Sequence, residues 1–152
     1  MKILDFIHRE TILPDLNASD KKGVLEELTL PVARITDIDH KELVRVLIER
    51  EKLGSTGIGN GIGIPHGKLK GLSSLVLGVG LSRKGVNFDA MDGKPSYIFF
   101  LLLTPDNTTG LHLKLLARIS KLLKNDTFKE KLIHAKDTED IIRLIQEVDE
   151  EF

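Results

Sequence analysis

The chain is 152 residues long, 41% apolar and 30% charged, which are ordinary values for a globular protein. Its 22 Lys and Arg against 23 Asp and Glu provide no broad basic field, so no nucleic-acid partner is expected. With no cysteine, disulfides, thiolate chemistry and Cys-ligated zinc are excluded.

This length fits one domain that buries ~68–70% of its unfolded surface. The N-terminal segment meets charge at Asp5, so it lacks the apolar core of a signal peptide. The longest apolar run, Tyr97 to Leu103, is too short to span a bilayer. The expectation is a cytoplasmic protein with no direct membrane insertion. No repeat, low-complexity tract or linker divides it.

In chain order, Thr11 to Leu16 can hold a short first strand, confined to a sheet edge by Pro14. Asn17 to Asp20 offers N-caps for a helix carrying Val24, Leu25, Leu28 and Val32 on one side. Pro31 should kink or split that helix. Asp37 or Asp39 can cap the next, whose stripe is Leu43, Val44, Leu47 and Ile48. The centre reads as strands: Ile62 and Ile64 alternating with glycine, then Leu75 to Leu81, then Tyr97 to Leu103. The last is apolar enough to be covered on both faces. A helix follows from Leu111 to about Leu123, and Asp126 and Thr138 are plausible caps for two more. Helices thus flank a strand-rich centre, and a sheet covered on both faces follows from the apolar strands.

The run from Gly54 to Gly67 stands apart. Six of its fourteen residues are glycine, and it presents His66 between Pro65 and Gly67. Glycines pack poorly and lose much backbone freedom on folding, so the main chain has some reason to come close here. Pro65 ends the strand at Ile64, which places His66 at a strand end. Ile62, Ile64 and His66 share parity, so an unbroken strand would turn His66 toward the core. Lys68 suggests a P-loop, but Leu69 stands where that loop requires Ser or Thr, and Pro65 and His66 interrupt it. The Gly-x-Gly spacings have no strand-turn-helix context with a following ribose-binding acid. One imidazole nitrogen can attack phosphorus while the other is fixed by a backbone carbonyl, and glycine-rich N–H groups can receive the phosphoryl oxygens. A structural histidine in a tight turn and a metal ligand are the alternatives.

Two further residues are candidates. His112, just after Gly110, can assist anion binding in the first turn of its helix or simply pack at a core edge. Arg50 can neutralise a phosphoryl group or complement the end of its own helix. His8, His40 and His134 have no clustered acids and read as surface residues. No pair of histidines has zincin spacing, and neither metal nor other cofactor is expected.

The segment Glu49-Arg-Glu-Lys-Leu-Gly-Ser-Thr-Gly-Ile-Gly-Asn-Gly-Ile-Gly-Ile-Pro-His-Gly-Lys68 is long and specific. With Phe88-Asp-Ala-Met-Asp-Gly-Lys-Pro95, Phe99 to Pro105, and His112-Leu113, it resembles the fructose/mannitol-class IIA domains of the bacterial phosphoenolpyruvate-dependent phosphotransferase system. The nitrogen-regulatory IIA proteins are the most similar branch. The resemblance covers nearly the whole chain and implies a single IIA domain over residues 1–152. It implies an α/β fold, a three-layer α/β/α arrangement with a central mixed sheet in the order β-α-α-β-β-β-α-α-α.

It also implies that His66 carries a phosphoryl group received from an HPr-like carrier, through Nε2 with Nδ1 turned toward backbone. His112 lies beside the phosphorylated ring, and Arg50 helps to organise the pocket. Family members usually have alanine at the position of Gly63, so one methyl is missing and the strand should be looser. Pro31 interrupts a helix that is typically continuous. The resemblance favours a regulatory output linked to nitrogen. The alternative is the IIA component of a sugar transporter that passes its phosphate to a IIB domain.

Overall fold

The computed structural model describes residues 2–108 and 110–150. A 3-10 turn, Ile3–Phe6, leads into β1 (Ile7–Leu13), which lies at the sheet edge; it starts before the expected Thr11 and stops short of Pro14, which stands outside the strand. Two helices follow, α1 (Lys21–Thr36) and α2 (His40–Glu51). The glycine run supplies three short strands, β2 (Gly57–Gly59), β3 (Ile62–Gly63) and β4 (His66–Leu69). Two long strands, β5 (Val76–Val86) and β6 (Ser96–Pro105), precede α3 (Leu111–Leu122), α4 (Asp126–Ile133) and α5 (Thr138–Asp149). The expected layering holds, but the described residues form six strands where four were expected, because the glycine run contributes three instead of one.

The sheet order is β1-β5-β6-β3-β2, with β4 also on β6. Strands β1 and β5 are parallel, β5 and β6 antiparallel, and β3 and β4 both parallel to β6. Side chains of β6 alternate between two buried clusters. Ile98, Phe100 and Leu102 pack beneath α3, α4 and α5, while Phe99, Leu101 and Leu103 pack beneath α1 and α2. Coverage of both faces explains why this strand shows no polar alternation.

Val24, Leu25, Leu28 and Val32 of α1 are all buried, and Asp20 caps the helix by accepting from Gly23 N at 2.9 Å. Pro31 does not split it into separate elements; one helix runs through the proline. Pro31 is itself buried among the α1 contacts, and this packing outweighs the ~3 kcal/mol that an interior proline costs. Asp39 caps α2, whereas Asp37 ends α1 in a left-handed conformation. The caps of α4 and α5 are Asn125 and Asp137, each one residue before the expected one. Their side chains reach the first free amides, while Asp126 and Thr138 already have helical geometry.

The two ends of the chain are tied together. Asp149, 1% exposed at the end of α5, accepts from Ile3 N at 2.8 Å and Leu4 N at 3.0 Å. These amides open the 3-10 turn and have no intrahelical acceptor. Asp149→Ala should lower folding stability by about 2–3 kcal/mol, since charge-assisted bonds to buried amides contribute more than neutral ones. Urea denaturation measures this, and Asp149→Asn, which keeps one acceptor, should lose less.

Candidate active site

Ile62 to Leu69 passes along β6 in one register. Gly63 pairs with Phe99 and His66 with Leu102, so Pro65 breaks the ladder without adding or removing a residue. The carbonyl of Pro65 still accepts from Leu102 N at 2.9 Å. His66 therefore begins a strand, where the sequence suggested that it follows the end of one. Its parity with Ile62 and Ile64 is preserved, and it shares the sheet face of Leu102. At this edge of the sheet the core gives way to a cavity of about 530 Å³.

Glycine is required at two positions along this passage. A Cβ at Gly67 would lie 2.8 Å from Val46 Cγ1, so glycine lets β4 rest directly on α2. A Cβ at Gly63 would meet the Phe99 ring at 2.9 Å. The missing methyl therefore does not loosen the strand: the Phe99 ring occupies its place and packs edge-on against Phe88 at 5.1 Å. Gly63→Ala should cost about 1–3 kcal/mol as the ring is displaced, measurable by thermal unfolding.

His66 is half-buried, and its Nδ1 lies 2.8 Å from the carbonyl oxygen of Ile64. That oxygen only accepts, so Nδ1 carries the proton and Nε2 of the neutral ring presents a lone pair. Burial pushes the His66 pKa below its ordinary 6.5, with smaller contributions in the same direction from Arg50 and His112. The bond to Ile64 and the charge of Glu51 oppose this. The neutral ring should thus persist to lower pH than in a free imidazole. A proton NMR titration of His66 should show a midpoint below 6.5. Between that midpoint and 6.5 the unfolded chain binds more protons, so this residue makes stability fall as pH falls through the window.

The structure brings the three predicted residues together: His66 from β4, Arg50 from α2 and His112 from α3 line the same cavity. Arg50 donates from Nη1 to Gly54 O at 2.9 Å, bracing its guanidinium against the start of the glycine run. His112 occupies the second position of α3. The other histidines lie elsewhere. His8 and His134 are exposed, and His40 Nε2 meets Glu26 O and Thr29 Oγ1, joining α2 to α1. Among the described residues no group of three or more His, Asp or Glu is placed to hold a metal.

Two parts of the surroundings were not legible as such in the sequence. Glu51 is buried at the end of α2, where a carboxylate opposes the helix dipole. It is held by Lys21 Nζ at 2.8 Å, by Thr56 N at 3.0 Å and by the Thr56 hydroxyl. Lys21 also meets Ser55 Oγ at 3.3 Å and lies 5.0 Å over the Phe88 ring. The Phe88–Pro95 segment clamps the glycine run: Ser55 Oγ donates to Phe88 O, Met91 N to Gly57 O and Asn60 N to Asp92 Oδ2. Amide bonds from Lys94 and Asn60 hold Asp92 below the usual carboxylate range. The second unforeseen group is Thr104, a single polar residue closing an apolar run, which also lines the cavity.

This layered fold is that of a IIA-type domain. The chain belongs to the family described as "Phosphoenolpyruvate-dependent sugar phosphotransferase system, EIIA 2", whose sequence model matches residues 5–148. It is 38% identical over 145 residues to a nitrogen regulatory protein of Bradyrhizobium diazoefficiens, covering 95% of each chain. It is also 35% identical over 131 residues to a fructose-specific EIIA component of Haloferax volcanii, covering 84% of each. The crystal structure of nitrogen regulatory protein IIA-Ntr from Neisseria meningitidis superposes with a TM-score of 0.88 at 33% identity, over 93% of this chain and 97% of that one. No helix among the described residues is long and apolar enough to cross a membrane.

Proposed function

We propose that the chain, as a single IIA domain, accepts a phosphoryl group on Nε2 of His66 from an HPr-like phosphocarrier. The observation that carries this reading is the Nδ1–Ile64 contact, which leaves Nε2 unprotonated inside the cavity. The donor's N–P bond breaks as the Nε2–P bond forms, and the electron pair of the broken bond returns to the donor ring. No proton need move, because Nδ1–H of His66 stays on Ile64. Arg50 offsets the charge of the phosphoryl oxygens and His112 hydrogen-bonds to them. Leu53 and Leu113, 84% and 61% exposed, form an apolar rim at the cavity for a protein donor.

The output we propose is regulatory. A phosphoryl group adds charge and strong acceptors at this rim, which changes what can bind there. Identity to the nitrogen regulatory and fructose-specific relatives is similar, so onward transfer to a IIB domain and sugar remains the second reading. The test is transfer from phosphorylated HPr-like carriers of the sugar and nitrogen branches, followed by mixing with candidate IIB proteins. Phosphorylation without onward transfer supports regulation; rapid passage to a IIB domain supports transport. Failure of every carrier to phosphorylate the chain would overturn both. His112→Ala should slow transfer roughly 10²-fold and leave His66 as the acceptor. Stopped-flow rates and mass mapping test this.

A further inference from the structure

Two polar atoms at the cavity are cut off from solvent without a hydrogen-bond partner among the described residues: Thr104 Oγ1 and His112 Nδ1. Each such atom costs about 1–3 kcal/mol if it stays unpaired. Thr104 is 2% exposed near the end of β6, and His112 begins α3 a few residues later. Both residues line the cavity that holds His66. Thr104 pairs in register with Lys68, two residues beyond the His66–Leu102 pair, and so faces the same side of the sheet as His66.

The orphaned groups are complementary. A threonine hydroxyl donates one proton, and a neutral imidazole nitrogen without hydrogen accepts one. We propose that Thr104 is a positioning residue for His112: its hydroxyl donates to Nδ1, directly after a side-chain rotation or through one bridging water, and fixes the Nε2–H tautomer. Bulk water cannot substitute, because neither atom is accessible to it.

This pairing deepens the carrier reading and rests on it for its consequence. His66 has its proton on Nδ1 and a bare Nε2 suited to attack. With Thr104 at its Nδ1, His112 has the opposite tautomer, and its Nε2–H donates to the phosphoryl group instead of competing as a second nucleophile. Two chemically identical rings in one cavity thereby receive different roles from the groups behind them, Ile64 O and Thr104 O–H.

Thr104→Val removes the hydroxyl at nearly constant shape, and Thr104→Ser keeps it. Long-range nitrogen–proton NMR of histidine-labelled, unphosphorylated protein reads the tautomer of each ring. The expected result is Nε2–H at His112 in the wild type and in Thr104→Ser, and a shift toward Nδ1–H in Thr104→Val, with His66 unchanged throughout. Phosphoryl transfer to His66 should fall about tenfold in Thr104→Val and not fall further when that change is added to His112→Ala. An unchanged His112 tautomer in Thr104→Val, or the same loss of rate with and without His112, overturns the pairing. Because the tautomer is read without phosphate, a wild type that accepts none while Thr104→Val still shifts the ring would refute the carrier reading alone.

Discussion

His66→Ala protein should take up no phosphate from a phosphorylated carrier, whereas the wild type should gain one phosphoryl group per chain. The effect is all-or-none because the substitution removes the nucleophile itself, and no neighbouring ring substitutes for it. His112 lines the same cavity from the start of α3, and its proposed role is to donate a hydrogen bond to the transferred group. Folding is little affected: His66 is half-buried, and its one hydrogen bond, to Ile64, contributes about 1 kcal/mol. Intact-mass measurement before and after incubation with the carrier decides the matter, with circular dichroism to confirm the fold. Normal labelling of this variant would remove His66 from the mechanism.

Glu51→Ala should have the largest effect on stability, about 3 kcal/mol. The substitution leaves the Lys21 ammonium, which is only 16% exposed, without its 2.8 Å partner, and it strips the acceptor from Thr56 N. Breaking one side of a buried ion pair costs 3–5 kcal/mol in general. The lower end applies here because Asp89 lies 3.7 Å from Lys21 and can partly compensate. For a chain of this size the corresponding fall in Tm is roughly 6–12 °C. The exposed neighbour Glu49, paired with Lys52 at 3.1 Å, should cost no more than about 0.5 kcal/mol when replaced. Transfer should slow as well, because the released turn carries Gly54 O, the brace of Arg50. Equal melting temperatures for Glu51→Ala and Glu49→Ala would show that the buried pair does not hold the glycine run.

The layering was legible because β6 buries both faces and so shows an unbroken apolar run, while each helix shows one stripe. The site was legible because its histidine stands in a segment too rich in glycine for core packing. Four details were hidden. Pro31 signals a break, yet burial beside Leu28 and Val32 keeps α1 continuous, a tertiary effect that local propensity does not contain. The glycine run gave no sign of three strands, since its pairing depends on β6, more than thirty residues away, and on the clamp at Phe88–Pro95. Nothing local in the sequence marks Glu51 as buried; only the approach of Lys21 and Thr56 makes it internal. Thr104 was hidden for the same reason, as its meaning lies in the cavity it shares with His112.

The proposed acceptor is a single atom, Nε2 of His66, freed by the bond of Nδ1 to Ile64. Phosphorylation of nitrogen-labelled protein, read by combined phosphorus and nitrogen NMR, tests it directly. The predicted spectrum has phosphorus bonded to Nε2 of His66 while Nδ1 keeps its proton. Phosphorus on Nδ1 of His66, or on any other residue, would contradict it.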